Sequence, residues 1–131
     1  MADPTEMVAF LLSDEERFLL RCGLVEWGGP ACCTNAMAVA MGFASVRDLF
    51  SESDRMMAEL EARRPLSRWD WSRMLLATEI VFASDVMGSG VEWPTTTGLD
   101  DQRSLEVLRG LQRKLVGGLV PIGPRGSAST P

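Results

Sequence analysis

Ala31-Cys32-Cys33-Thr34-Asn35-Ala36-Met37-Ala38-Val39-Ala40-Met41 is the stretch on which the reading of this chain turns. Only Thr34 and Asn35 in it are polar. A helix that is apolar all round is buried all round. The stretch is therefore expected to form the central helix, with Gly42 as its stop and its small residues letting neighbouring helices approach closely. The turn Glu26-Trp27-Gly28-Gly29-Pro30 leads into it.

Helix signals dominate on both sides. Asp3-Pro4-Thr5-Glu6 offers an N-cap, a proline at the first helical position and a first-turn acid, predicting a short helix over 4–12. Ser13-Asp14-Glu15-Glu16 is a capping-box pattern that opens a helix over 14–22, stopped by Gly23. Ser45 opens the next helix, and a second box at Ser51-Glu52-Ser53-Asp54 invites a break. Periodicity overrules it, because Val46, Leu49, Phe50, Met56, Met57 and Leu60 keep one phase at about 100° per residue. One helix is predicted over 46–64, ended by Pro65. Ser67 caps a helix running to Met87 and Gly88-Ser89-Gly90. A polar loop is expected over 88–100, and Asp100 caps a helix over 101–116 with Leu105, Leu108, Leu111 and Leu115 on its apolar face.

The expected fold is all-α: a single compact irregular bundle of about five or six helices around a buried central helix. Residues 1–116 form the helical domain. Residues 117–131, with four glycines and three prolines, read as a flexible tail with a small apolar foothold at Leu119, Val120 and Ile122. No internal repeat and no alternating strand pattern is visible.

Length and composition bound the function. The 131 residues fit one domain with an apolar core of its own. Histidine is absent, which removes Ser-His-Asp and Cys-His catalysis and the usual zinc sites. Acids outnumber bases 18 to 13, a field that repels phosphate backbones. Lys114 is the only lysine beside twelve arginines, a bias read as a GC-rich bacterial genome. The N-terminus lacks the basic region of a signal peptide, and no apolar stretch is long enough to span a bilayer. Cys22, Cys32 and Cys33 are an odd set with two adjacent members, which is no disulfide framework and suits a reducing cytoplasm. Adjacent thiols on a helix diverge by about 100°. They are read as small core residues, with a three-thiolate soft-metal site as the alternative.

Elimination isolates one acid. Asp3 and Asp100 are caps, and Glu6, Asp14, Glu15, Glu16, Asp48, Asp70 and Asp101 sit in first turns, where the helix dipole accounts for them. Glu52, Asp54, Glu59 and Glu61 lie on a polar face with Arg55 and Arg63. Asp85 is placed on a polar face with Asp70, Arg73, Thr78 and Ser84, and Glu106 on that of the last helix. Glu26 and Glu92 remain in loops beside Trp27 and Trp93. Glu79 is the misplaced one: its neighbours at helical spacing are Leu75, Leu76, Phe82 and Ala83, with Ser72 two turns back. A bare carboxylate there carries a heavy desolvation penalty. It is expected to be satisfied by a loop such as Gly28-Gly29-Pro30, or else to anchor a small-molecule pocket with Ser72, Thr34, Asn35 and Gln112.

Trp69-Asp70-Trp71 puts two indoles at a helix start. One is expected to anchor the core; the other, with Arg73 and Trp93, is a candidate interface residue. Neither Gly88-Ser89-Gly90 nor Thr95-Thr96-Thr97-Gly98 matches a phosphate loop. The expectation is a cytoplasmic, non-enzymatic protein-interaction or regulatory module, homodimeric or bound to a protein partner, with no catalytic residue, cofactor, resident metal, nucleic acid or membrane. The rival is a small-molecule-binding helical domain, or an enzyme using Glu79 as acid or base. Arg109, Arg113 and Lys114 cluster near a helix end, where complementing the dipole explains them better than a nucleic-acid contact does.

Overall fold

A computed structural model of the chain describes residues 2–29, 31 and 33–122. Six α-helices lie among them: α1 Asp14–Val25, α2 Asn35–Ala40, α3 Val46–Glu61, α4 Arg68–Ala83, α5 Trp93–Thr97 and α6 Asp101–Leu115. The fold is all-α, as the patterning predicts.

The buried central helix is α4, not the 31–41 stretch. Thr34 is extended and caps α2 through its side chain, and Gly42, at φ +99°, ends the helical stretch. What remains between them is a turn and a half. Ala31, Ala38 and Met41 are buried, whereas Asn35, Ala36, Val39 and Ala40 face solvent. The physical reason is bulk. Burying alanine removes little apolar area, so a stretch rich in it gains little from the centre of a fold. Cys32 lies outside the described residues. In α4, nine of sixteen residues are buried, and they include Trp71, Met74, Leu75 and Val81 but also Asp70, Arg73 and Thr78. No polar face is left on the first three turns because every side has a neighbour.

On the α1 side the approach is closest at Gly23. This glycine lies within α1 rather than ending it, and a Cβ there would sit 2.1 Å from Thr78 Oγ1 and 2.8 Å from Thr78 Cα. The capping box expected at Ser13 and Glu16 is present, both bonds made. α3 runs unbroken through the second Ser-x-x-Asp pattern and buries Leu49, Met56 and Leu60, following the predicted phase.

The predicted helix over 4–12 is absent. Asp3 accepts from the Thr5 amide and closes a turn, and Met7–Val8 (β1) then pairs antiparallel with Leu66–Ser67 (β2), Met7 facing Ser67 and Val8 facing Leu66. The segment has another use. The first amides of α4, on Arg68 and Trp69, donate to the carbonyls of Glu6 and Pro4, each at 2.9 Å, while Ser67 Oγ takes the Asp70 amide. The orphan donors of the central helix are thus closed by backbone. Phe10 stands edge-on to Trp71, whose indole N–H donates to Val8 O at 2.9 Å.

The expected polar loop over 88–100 is largely folded. α4 ends at Ala83 rather than Met87, and a 3₁₀ turn over Gly90–Glu92 leads into α5. Trp93 is fully buried there and packs edge-on against Phe82. Glu26 closes this region onto α1: it is buried and accepts from the hydroxyls of Ser89 (2.7 Å) and Thr96.

Between α3 and α4 lies a buried ion network. Arg73 donates to Asp70 Oδ1 at 2.7 Å and to Glu52 at 2.8 Å, and Arg55 donates to both acids. The Arg73 guanidinium lies 4.6 Å from the centre of the Phe43 ring. The hydrogen bond from Arg55, opposed by burial and helped by Arg73, holds the Glu52 carboxyl down to about 2. Burial pushes Asp70 up, but the bonds and charges of Arg55 and Arg73 outweigh it and leave its carboxyl below the usual range. Unfolded carboxyls titrate near 4. Depressed folded values therefore add stability that is fully present above about pH 5 and is lost as pH falls from 4 toward 2. A series of urea melts is expected to show a flat midpoint from pH 7 to 5 and a steep fall below 4. Asp70→Asn should flatten that fall, and an unchanged acid limb would mean the network does not set it.

Candidate functional site

Ser72, Leu75, Leu76 and Glu79 follow one another along a single face of α4, spaced by three and four residues. Arg109, Gln112 and Val116 follow one face of α6 and the turn after it in the same manner. These two faces and residues 119–122 line a hollow of about 580 Å³, open to solvent. Its walls are apolar, and its polar groups are few and ordered. Gln112 Nε2 donates to Glu79 Oε2 at 2.5 Å, and Arg109 Nη1 donates to Gln112 Oε1 at 2.8 Å. Gln112 is thus spent at both ends. Oε1 of Glu79 accepts no hydrogen bond among the described residues. The half-buried carboxylate is satisfied on one side and open on the other.

Of the candidate pocket residues, Ser72, Glu79 and Gln112 line this one hollow, and Thr34 and Asn35 lie elsewhere. Thr34 caps α2 by accepting from the Met37 amide, and Asn35 Oδ1 accepts from Val46 N at 3.0 Å, pinning α2 to the start of α3. The partner of Glu79 is Gln112 rather than the Gly28-Gly29 turn. Ser72 has no free hydroxyl to offer a ligand. Its Oγ donates to Arg68 O and accepts from Val120 N, both at 2.8 Å. With Arg68 Nη1 on Gly117 O, these bonds lay the first residues of the expected tail along α4. Gly118 is buried there, so 117–122 belong to the packed domain, and residues 123–131 lie outside the described residues.

A second hollow, of about 450 Å³, adjoins the first on the same two helix faces, one turn further along each. Phe82 and Ala83 continue the α4 face beyond Glu79, and Leu105 and Asp101 continue the α6 face beyond Arg109. Ser72 thus lies opposite Val116, and Phe82 opposite Leu105. The helices run antiparallel, and the two hollows lie in line along the trough of their seam. From Ser72 to Ala83 it spans about 17 Å of helix rise. Val116 and Val91 on its rim are 69% and 78% exposed.

Three interface candidates turn inward. Trp71 and Trp93 are buried, their indole N–H groups donating to Val8 O and Ser104 Oγ. Arg73 is buried in the ion network, and Trp69 is half-buried beside it, its ring 5.7 Å from the guanidinium. Each is held by the chain's own polar groups, as a buried indole or guanidinium must be. The placement of Asp70, Arg73 and Thr78 on a solvent face is corrected by the same burial.

No family model, curated protein or solved structure matches this chain.

The remaining candidates are structural. Burial, with the charge of Glu26 adding and that of Arg21 opposing, pushes the Cys22 thiol up to about 11, and burial also raises that of Cys33. Both thus stay protonated, the inert form. Among the described residues no three acidic or thiol side chains gather around one point, and no helix is long and apolar enough to cross a membrane. Lys114 is engaged with Glu16 at 2.6 Å and with Leu11 O, and Arg109 with Gln112. Two of the three bases at the end of α6 therefore serve the chain's own contacts, while Arg113 is exposed in its last turn.

Sequence reading missed Arg109, Val116, Leu105, Phe82 and the two aspartates of the second hollow as site residues. All but Asp85, which lies beyond the end of α4, share the helical phase of a residue that was found. The missing signal was the pairing of α4 with α6, which no single-helix pattern contains.

Proposed function

We propose that the protein is a non-enzymatic interaction module whose docking face is the trough between α4 and α6. One observation carries this reading. Two adjoining apolar hollows, opened along the seam of two antiparallel helices, leave Val116, Leu105 and Val91 uncovered. Uncovered apolar side chains with a charged rim have the composition a docking surface needs. The non-enzymatic part is supported by the polar inventory. Ser72 is consumed by two backbone groups and Gln112 by Arg109 and Glu79, which leaves one carboxylate oxygen and, among the described residues, no polar side chain bonded to it that could act with it.

The second reading is a small-molecule site, favoured by that same free oxygen of Glu79 in an apolar recess. The two separate by mass. A photo-crosslinking side chain at Val116 or at Leu105 is expected to capture a protein-sized adduct in cells, while the same group at Asp54, on the far side of α3, captures none. Adducts from all three positions alike, or from none, would defeat the docking-face reading. A small adduct at Val116 alone would favour the second.

A further inference from the structure

Building on the docking-face reading, we infer that the occupant of the trough is a basic amphipathic helix of another protein, three to four turns long. The backbone of the site disfavours the extended alternative. Strand addition needs a free edge of N–H and C=O groups. Here the two long walls are helices whose backbone groups are bonded within them, and in the short stretch 119–122 the Val120 amide is already spent on Ser72 Oγ, so side chains carry the reading. Two antiparallel helices with an open seam instead present the groove into which the ridges of a third helix pack. The length agrees, since about 17 Å of trough matches about 11 residues of α-helix.

Charge supplies the sign. Asp85 and Asp101 stand at one end of the trough and Glu79 midway, against Arg109 alone. Three carboxylates against one guanidinium leave an acidic surplus, although Asp85 Oδ1 already accepts from the Val91 amide and Arg109 keeps its charge while bonded to Gln112. Oε1 of Glu79 is an unspent acceptor among Leu75, Leu76 and Leu119, placed to take an N–H of lysine or arginine from a helix lying above it. A second copy of this chain is the wrong occupant on the same ground. Its formal net charge is −5, and docking it would set acid against acid.

The test uses the full chain and three labelled peptides, each about 14 residues long. One is a leucine amphipathic helix flanked by lysine and arginine. The second has glutamate in place of the basic residues, and the third keeps the basic residues but has serine in place of leucine. Fluorescence anisotropy at about 50 mM and 300 mM salt, where screening differs strongly, reads the binding. The basic amphipathic peptide is expected to bind at least about 10-fold tighter than either control, to weaken at high salt, and to gain helical circular dichroism on binding. The variant Asp85→Asn/Glu79→Gln/Asp101→Asn keeps an acceptor oxygen at each place and is expected to weaken it about 10-fold. Val116→Asp, at an exposed position, should weaken it as well.

Equal binding of the acidic and basic helices overturns the inference but leaves the docking face standing. So does an absence of binding by all three peptides while crosslinks at Val116 persist. Absence of both peptide binding and crosslinks removes the docking face too. Binding that survives both variants places the peptide elsewhere and overturns the inference.

Discussion

Gly23→Ala is expected to destabilise the protein by roughly 3 kcal/mol or more, near the upper end for overpacking a close-packed interior. In an isolated helix the same change stabilises by about 1 kcal/mol, because alanine is the better helix former. The sign is decided by what the new methyl group meets. It would lie 2.1 Å from Thr78 Oγ1, and moving that hydroxyl does not help, because the Thr78 Cα stands at 2.8 Å behind it. The backbones of α1 and α4 must separate, and with them the leucines of α1 and Met74 and Val81 of α4. Thr78→Ala should accordingly rescue Gly23→Ala only in part. Urea denaturation of the two single variants and the double settles it. A stabilised Gly23→Ala would mean that the two helices do not touch there.

Arg73→Ala is the other large effect, with an expected loss of roughly 3–5 kcal/mol, the range for removing one partner of a buried ion pair. The substitution strips Asp70 and Glu52 of one of their two cations and takes the guanidinium off the Phe43 ring. Arg55 stays bonded to both acids, but it is half-exposed and its charge is screened by solvent. Arg73→Lys should recover only part of the loss: both carboxylate bonds come from the single nitrogen Nη2, which an ammonium can imitate, but the bond from Nη1 to Gly42 O and the contact with the Phe43 ring go with the guanidinium. In a double-mutant cycle, Asp70→Ala with Arg73→Ala should lose less than the sum of the single losses, because both single variants break the same Arg73–Asp70 bond. A loss below about 1 kcal/mol for Arg73→Ala would show the network to be a solvated surface pair.

Helices were legible wherever a cap and a bulky apolar stripe agreed. Ser13, Ser45, Ser67 and Asp100 each cap the helix they announced. α3 kept its phase through Ser51–Asp54 because Leu49, Met56 and Leu60 outweigh a local turn signal. The reading went astray where composition stood in for bulk. Residues 31–41 are apolar but small, whereas 68–83 mix arginine, aspartate and serine with tryptophan, methionine and leucine. Large side chains secured the centre and drew their polar neighbours in with them. Asp70 and Arg73 could be buried because α3 brings Glu52 and Arg55 across, and a partner on another helix leaves no mark on the spacing within one.

For the candidate site, Glu79, Ser72 and Gln112 were legible because each is polar on an otherwise apolar face. Thr34 and Asn35 were placed with them only because 31–41 was set at the centre. The tryptophans show the same limit. Trp71 and Trp93 find acceptors in Val8 O and Ser104 Oγ, contacts that sequence does not encode locally.

The seal on α4 has a kinetic side. Glu6 and Arg68 meet through both backbone and side chain across 62 positions of chain. Closing a loop of that size costs about 4 kcal/mol in chain entropy before any contact repays it. During refolding the opening strap is therefore expected to attach after α1, α3 and α4 have condensed, and its amides to exchange with solvent before those of α4 when the protein is warmed. The innermost helix of the bundle depends, at its first turn, on the part of the molecule that arrives last.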